Sequence, residues 1–242
     1  MKIIEEALGR DQTSLSEHNS KKLCAHFGIP ICREAIAGNA EAAAAQAAKI
    51  GFPVVLKVSG KKLLHKTEVG GVALNLTSEE EVKQESSRLL KIQGAEDLLV
   101  QEMVKGDREL VCGLIRDAQF GPCVMFGIGG VFTEVFQDVV FRVAPLTNWD
   151  AWEMVKEIRN RKILESFRGE SAVDVEMLSQ VLVTLGSIGL QCEEIQSVDI
   201  NPLKIRPDGK PVAVDALVTL GQKKQFQPPE ESIGSKDLAQ FF

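Results

Sequence analysis

"SVDINPLKIRPDGKPVAVDALVTL", residues 197–220, decides how the rest of the chain is read. Two runs rich in apolar residues flank the turn signal "PDG" at 207–209 and predict a hairpin. A three-residue turn, Pro207-Asp208-Gly209, with Gly209 supplying the positive φ, sets the register: Arg206 faces Lys210 and Asn201 faces Asp215. Facing residues hold their Cβ atoms about 5 Å apart. Asp199 and Asn201, two apart on one strand, point to one face. An amide oxygen and carboxylates thus gather on one patch of sheet. Hard oxygen donors grouped this way suit Mg²⁺, which keeps waters and takes its other ligands from phosphates. The alternative is a solvated sheet face, and the apolar surroundings in "VAVDALV" count against it.

Upstream, "GFPVVLKVSG" (51–60) reads as a buried strand with a lysine, Lys57, inside it. A lysine among Val and Leu is costly to bury without a partner. It either snorkels outward on an edge strand or serves as a point charge for a phosphate oxygen. The next stretch, "LLHKTEVGG" (63–71), puts one of only three histidines in a charged loop closed by Gly70 and Gly71. Such a loop is either solvated or lies where a phosphate arrives, because glycines let backbone N–H groups approach an anion. "GIGG" (127–130) follows a strand but precedes no clear helix, so it is not a Rossmann fingerprint, and there is no Walker A sequence.

Between these landmarks, helices are predicted at 14–27, at 39–51 with Asn39 as cap and Gly51 as stop, at 78–92 behind the capping box "SEEE", and at 148–167 and 173–189. Strands are predicted at 54–59, 71–76, 98–104, 109–117, 121–130 and 139–146. Residues 1–11 are weakly patterned, and "QKKQFQPPEESIGSKDLAQFF" (222–242) reads as a tail. Mixed elements with hairpins in the second half predict α/β or α+β architecture in two lobes. The expected division is 1–24 as an N-terminal segment packing on the second lobe, 25–103 as the first lobe, 104–221 as the second, and the tail.

The bulk numbers narrow the function. The 242 residues are 44% hydrophobic and 26% charged, with a formal net charge of −6. That balance argues against a nucleic-acid partner. No apolar run approaches the roughly 18 residues that span a bilayer. The N-terminus is too charged for a signal peptide. Five cysteines with no CxxC pattern read as packed thiols of a reducing compartment, so the cytoplasm is the expected location.

Four segments, in this order, resemble one family: "GFPVVLKVSGKKLLHKTEVGGVALNL" (51–76), "FGPCVMFGIGGVFTEVFQDVVFRVAPL" (120–146), "KILESFRGE" (162–170) and "SVDINPLKIRPDGKPVAVDA" (197–216). Together they resemble the ATP-grasp fold, and more narrowly the β subunits of ADP-forming acyl-CoA synthetases, relatives of succinyl-CoA synthetase. The resemblance implies two lobes with ATP or ADP bound between them. It implies Lys57 on the nucleotide phosphates, Glu102, Met103 and Val104 as the strand beside adenine, and Glu109 as a ribose or hinge contact. Gly70, Gly71 and Arg142 complete the cofactor-binding set. Asn201 and Asp215 would hold Mg²⁺, with Asp199 adjacent. The family's phosphate-accepting histidine falls on His65, and a neutral imidazole near its ordinary pKa of about 6.5 is a nitrogen nucleophile at pH 7. Glu68 could orient the ring.

The implied reaction is acyl-CoA, ADP and phosphate giving acid, ATP and CoA. The chain carries no recognisable CoA-binding region, so a CoA-binding α subunit is the implied partner, in a heterotetramer. Two rivals stand beside this reading: another ATP-grasp carboxylate ligase, which needs no histidine at position 65, and a non-catalytic synthetase-like module, which would not need the full residue set.

Overall fold

Two antiparallel sheets, each with its own core, are seen in the computed structural model, which describes residues 1–60, 70–130, 138–166 and 169–221. The chain opens with α1 (Lys2–Leu8) and α2 (Glu17–His26). The first sheet then forms from β1 (Glu34–Ala37), α3 (Ala40–Ile50), β2 (Val54–Ser59), β3 (Val72–Leu76), α4 (Glu79–Leu89) and β4 (Asp97–Glu102). Its strand order is β1-β4-β2-β3. The second sheet takes β5 (Glu109–Asp117), β6 (Gly121–Ile128) and β7 (Val139–Val143), followed by α5 (Asn148–Glu157) and α6 (Val175–Gln191). It is completed by β8 (Ile195–Ile205), β9 (Pro211–Ala213) and β10 (Ala216–Leu220), in the order β10-β8-β5-β6-β7 with β9 beside β8.

Local chemistry accounts for most element ends. Asn39 Oδ1 accepts from Ala42 N at 2.8 Å to start α3, and Gly51 at φ +95° ends it. Ser78 Oγ accepts from Glu81 N, while the Glu81 carboxylate accepts from the backbone N–H of Thr77, one residue before the cap. The helix expected over 148–167 stops at Glu157. The reason is Asp138, whose carboxylate accepts from the backbone N–H groups of Arg159 and Asn160 at 3.0 and 2.9 Å. Those donors are then lost to an α-helical ladder, and a short 3₁₀ turn follows at Arg161–Leu164. Residues 1–11, weakly patterned in sequence, supply α1, which is held by Ile4 and Ala7 in the core.

The first core packs α3 and α4 onto one face of their sheet through Ala43, Ala44, Ala47, Val82 and Leu89 against Val54, Leu56, Leu98 and Val100. The second is larger and packs α5 and α6 onto Leu110, Cys112, Leu114, Val124, Phe126, Val198 and Ile200. Gly189 lets α6 come this close: a Cβ there would lie 2.6 Å from Pro122 Cβ and 2.8 Å from Leu114 Cδ1. Ile4, Leu15, Leu23 and Ile29 join this second core. The first core takes up the chain from Ala35, while Ile31 still packs against the second. Leu15 N donates to Val218 O and Leu220 N to Thr13 O, so the N-terminal segment covers the β10 edge.

None of the five cysteines is in a disulfide. Burial pushes the thiols of Cys24 and Cys32 up to about 12 and about 11, consistent with packed, unreactive side chains. Among the described residues, no helix is long and apolar enough to cross a membrane.

The crossing between the lobes is pinned by Glu102 at the end of β4. It accepts from Arg33 Nε at 2.8 Å and pairs with Arg206 of the second lobe. Burial alone would raise its pKa, but the two guanidiniums outweigh burial and hold it below the ordinary 4.5. A carboxylate with a lowered folded pKa stabilises the fold above its unfolded value, and that contribution is lost as pH falls through the folded value. Glu102→Gln is therefore expected to cost about 2 kcal/mol at pH 7. In urea denaturation, the gap from wild type should narrow below the ordinary glutamate pKa. A gap that stays constant down to pH 3 would assign the loss to packing instead.

Candidate active site

Lys57 is on β2, which lies between β4 and β3 and is not an edge strand. The side chain cannot snorkel there, and Lys57 is only 8% exposed. Val54 and Leu56 face the α3/α4 core, so Lys57 takes the other face of the sheet, turned toward α2 and the second lobe. Its Nζ donates to Glu17 Oε1 at 2.6 Å and to Asp215 Oδ2 at 3.3 Å. A cation of the first lobe thereby meets a carboxylate of the second.

Asp215 comes from the hairpin. Gly209 N donates to Arg206 O and Arg206 N to Lys210 O, closing a turn over 207–209, with Gly209 at φ +89°. Leu203 pairs with Ala213 and Ile200 with Ala216, so Asn201 and Asp215 lie opposite each other between these pairs. The expected single strand "PVAVDALVTL" is split at this point into β9 and β10. Inward positions step by three rather than two on both sides of the hairpin, from Ile200 to Leu203 and from Ala213 to Ala216, all core residues. The residues between them, Asn201, Pro202, Val214 and Asp215, are thus released from strict alternation.

Asp199 lines up with Gly113, Met125 and Phe141 across β5, β6 and β7, on the face opposite the α5/α6 core. The side chain is solvent-exposed. Even so, the surrounding protein desolvates it, and nearby Asp215 adds repulsion, so its pKa is raised. Two carboxylates that repel each other beside an amide oxygen suit a divalent cation. Among the described residues, no three His, Cys, Asp or Glu side chains gather closely enough to hold a metal. Mg²⁺ fits here only with Asn201, water and phosphate oxygens filling its coordination shell.

The remaining candidates separate. Met103 N donates to Pro53 O, and Val104 packs with Cys32 and Val212 in a small cluster at the crossing. The Glu102 side chain is committed to Arg33 and Arg206, and its backbone N–H donates to Arg33 O. Glu109 lies at the start of β5, opposite Lys204 and 3.5 Å from its Nζ. Gly70 and Gly71 lead into β3, where Gly70 O accepts from Arg88 and Gly71 O from Val58 N. Arg142 is not brought to the group. It pairs in register with Val124, so it points to the helix-covered face, where it meets Glu157 of α5. His65 and Glu68 lie outside the described residues.

Two residues of this site were not anticipated from sequence. Lys21, on α2, is fully buried, and its Nζ donates to Glu17 Oε1, Gln101 Oε1 and Val214 O at 2.9, 2.9 and 3.0 Å, with Glu34 beside it. Burial opposes its charge, but Glu17 and Glu34 outweigh that and hold its pKa above the ordinary lysine value. Glu17 sits one turn before it. The available signal was the i, i+4 pair Glu17/Lys21 on the same helix face as Cys24.

Comparison with known proteins identifies the family. A family model described as an ATP-grasp domain matches residues 6–220. The chain is 38% identical, over 90% of its length and 96% of the relative's, to the β subunit of ADP-forming acetate–CoA ligase I from Pyrococcus furiosus. It is 41% identical to ADP-forming acetate–CoA ligase II from Archaeoglobus fulgidus, covering 88% of this chain but 31% of that longer protein. Among solved structures, it superposes with a TM-score of 0.81 and 43% identity on the dinucleotide forming acetyl-coenzyme A synthetase 1 of Ca. Korarchaeum cryptofilum. That match covers 91% of this chain and 99% of the other. That protein was solved with coenzyme A and Mg-AMPPCP, its phosphohistidine segment pointing towards the nucleotide binding site. With a full-length β subunit matched nearly end to end, the chain belongs to the ATP-grasp family and, within it, to the β subunits of ADP-forming acetate–CoA ligases.

Proposed function

We propose that this chain is the nucleotide-binding half of an ADP-forming acyl-CoA synthetase and that it moves a phosphoryl group reversibly between ATP and His65. The observation that carries the reading is the approach of Lys57 to Asp215 at 3.3 Å, a phosphate-type cation and a metal-type carboxylate from opposite lobes. The Mg-AMPPCP complex of the Ca. Korarchaeum cryptofilum relative supports it.

In this mechanism Lys57 binds the transferring phosphate and offsets its charge, which is the main catalytic task in phosphoryl transfer. Asn201 and Asp215 hold Mg²⁺, with Asp199 adjacent, and the ion supplies charge neutralisation on the phosphate oxygens. The backbone of Glu102, Met103 and Val104 borders the base, with Glu109 toward the ribose and Gly70 and Gly71 at the end of the histidine loop. The free imidazole nitrogen of His65 attacks the γ-phosphorus in line. A P–N bond forms as the bond to the ADP oxygen breaks, and ADP leaves with that electron pair. A CoA-binding α subunit, in a heterotetramer, takes the phosphoryl group on toward the acid and CoA. In the opposite direction it returns the group for ATP synthesis.

Incubating the chain and its α subunit with Mg²⁺ and γ-labelled ATP is expected to give acid-labile, alkali-stable label on wild type and none on His65→Ala. Nucleotide binding without any label on wild type would sink the phosphohistidine step. Asn201→Ala and Asp215→Ala are expected to raise the Mg²⁺ concentration for half-maximal labelling by roughly tenfold or more, since even outer-shell changes cost that much. An unchanged Mg²⁺ requirement would remove these two side chains from the metal site.

A further inference from the structure

Lys57 has a second carboxylate partner that phosphoryl transfer does not require. Glu17 is the first residue of α2, directly after the N-cap Ser16, and is 8% exposed. The helix start favours its negative charge. Its Oε1 accepts from Lys57 Nζ at 2.6 Å and from Lys21 Nζ at 2.9 Å. Lys21 is immobilised in turn by Gln101, Glu34 and the carbonyl of Val214. Glu17 is therefore a fixed anchor, braced from the first sheet and from the hairpin. Asp215, by contrast, has a side chain 42% exposed and lies farther from Lys57 Nζ, at 3.3 Å.

The Lys57 ammonium thus sits between two carboxylates that compete for it unequally. If it left Glu17 and closed fully onto Asp215, tightening the existing 3.3 Å contact, two functions would suffer: the lysine would be drawn from the phosphate, and the acid would be masked from a cation. The shorter contact to Glu17 opposes this. On the nucleotide reading of the site, we propose that Glu17 is a positioning residue: its carboxylate holds Lys57 where phosphate oxygens reach it and keeps the ammonium from passing wholly to Asp215, so that Asp215 can exchange its longer contact with Lys57 for Mg²⁺. A charge-assisted bond of this length is worth enough to set the side chain's position.

The test is a double-mutant cycle on the full chain, reading Mg-ATP affinity by calorimetry and the Mg²⁺ concentration for half-maximal binding. Glu17→Gln is expected to weaken Mg-ATP binding about tenfold, the equivalent of one charged hydrogen bond, and to raise the Mg²⁺ requirement. In a Lys57→Met background the same change should add nothing to either readout. Glu17→Asp, which keeps the charge but shortens the reach, should fall between, and it carries the same cycle if Glu17→Gln does not fold. Equal losses in both backgrounds would show that Glu17 acts through the fold and would overturn the proposal, as would no loss in either. Failure of the nucleotide reading itself looks different: the Lys57→Met single variant would then bind Mg-ATP as wild type does.

Discussion

A fully buried ammonium, that of Lys21, is the constraint on which the rest of the structure depends. Taking such a charge out of water costs several kcal/mol, and only close counter-charges and hydrogen-bond acceptors offset it. Here they come from three places: Glu17 on its own helix, Glu34 and Gln101 on the first sheet, and the backbone of Val214 in the hairpin of the second. The alternation of charge continues outward through Glu17 to Lys57 and on to Asp215. Helix, first sheet and hairpin are consequently bound by one line of ions. Removing an inner member would leave its buried neighbours with one counter-charge fewer.

The two lobes meet mainly through polar groups. The apolar cluster at the crossing is small, Cys32, Val104 and Val212, whereas Glu102–Arg206 and Lys57–Asp215 are ion pairs that bridge the lobes. A polar seam of this kind exchanges its contacts for those of a charged ligand more readily than a packed hydrophobic one. Each lobe meanwhile keeps its own core, so its geometry does not rely on the seam.

The second sheet divides its work between faces. Strict alternation puts Val198 and Ile200 under α6 and leaves Asp199 on the open side. The break in alternation takes Asn201 and Asp215 out of the core pattern at the point where the first lobe's lysine meets Asp215. Arg142 illustrates the opposite outcome. It is one residue from Phe141, which shares a row with Asp199, and that single step turns it to the helix-covered face and to Glu157.

What the sequence by itself determined was whatever rests on neighbours a few residues apart. The turn at 207–209, and with it the opposition of Asn201 and Asp215, follows from a glycine at positive φ and a fixed loop length. The caps of α3 and α4 follow from Asn39 and Ser78. Lys57 stood out because a lysine in an apolar strand needs a partner. The tertiary structure decided the rest. Lys21 finds Gln101 and Val214 at separations of 80 and 193 residues. Asp138 ends a helix from 21 residues upstream. The face of Arg142 depends on a strand register that periodicity in β7 alone does not carry. These contacts form only once two sheets and α2 are packed together, and a charge is given its role by the partner that burial forces upon it.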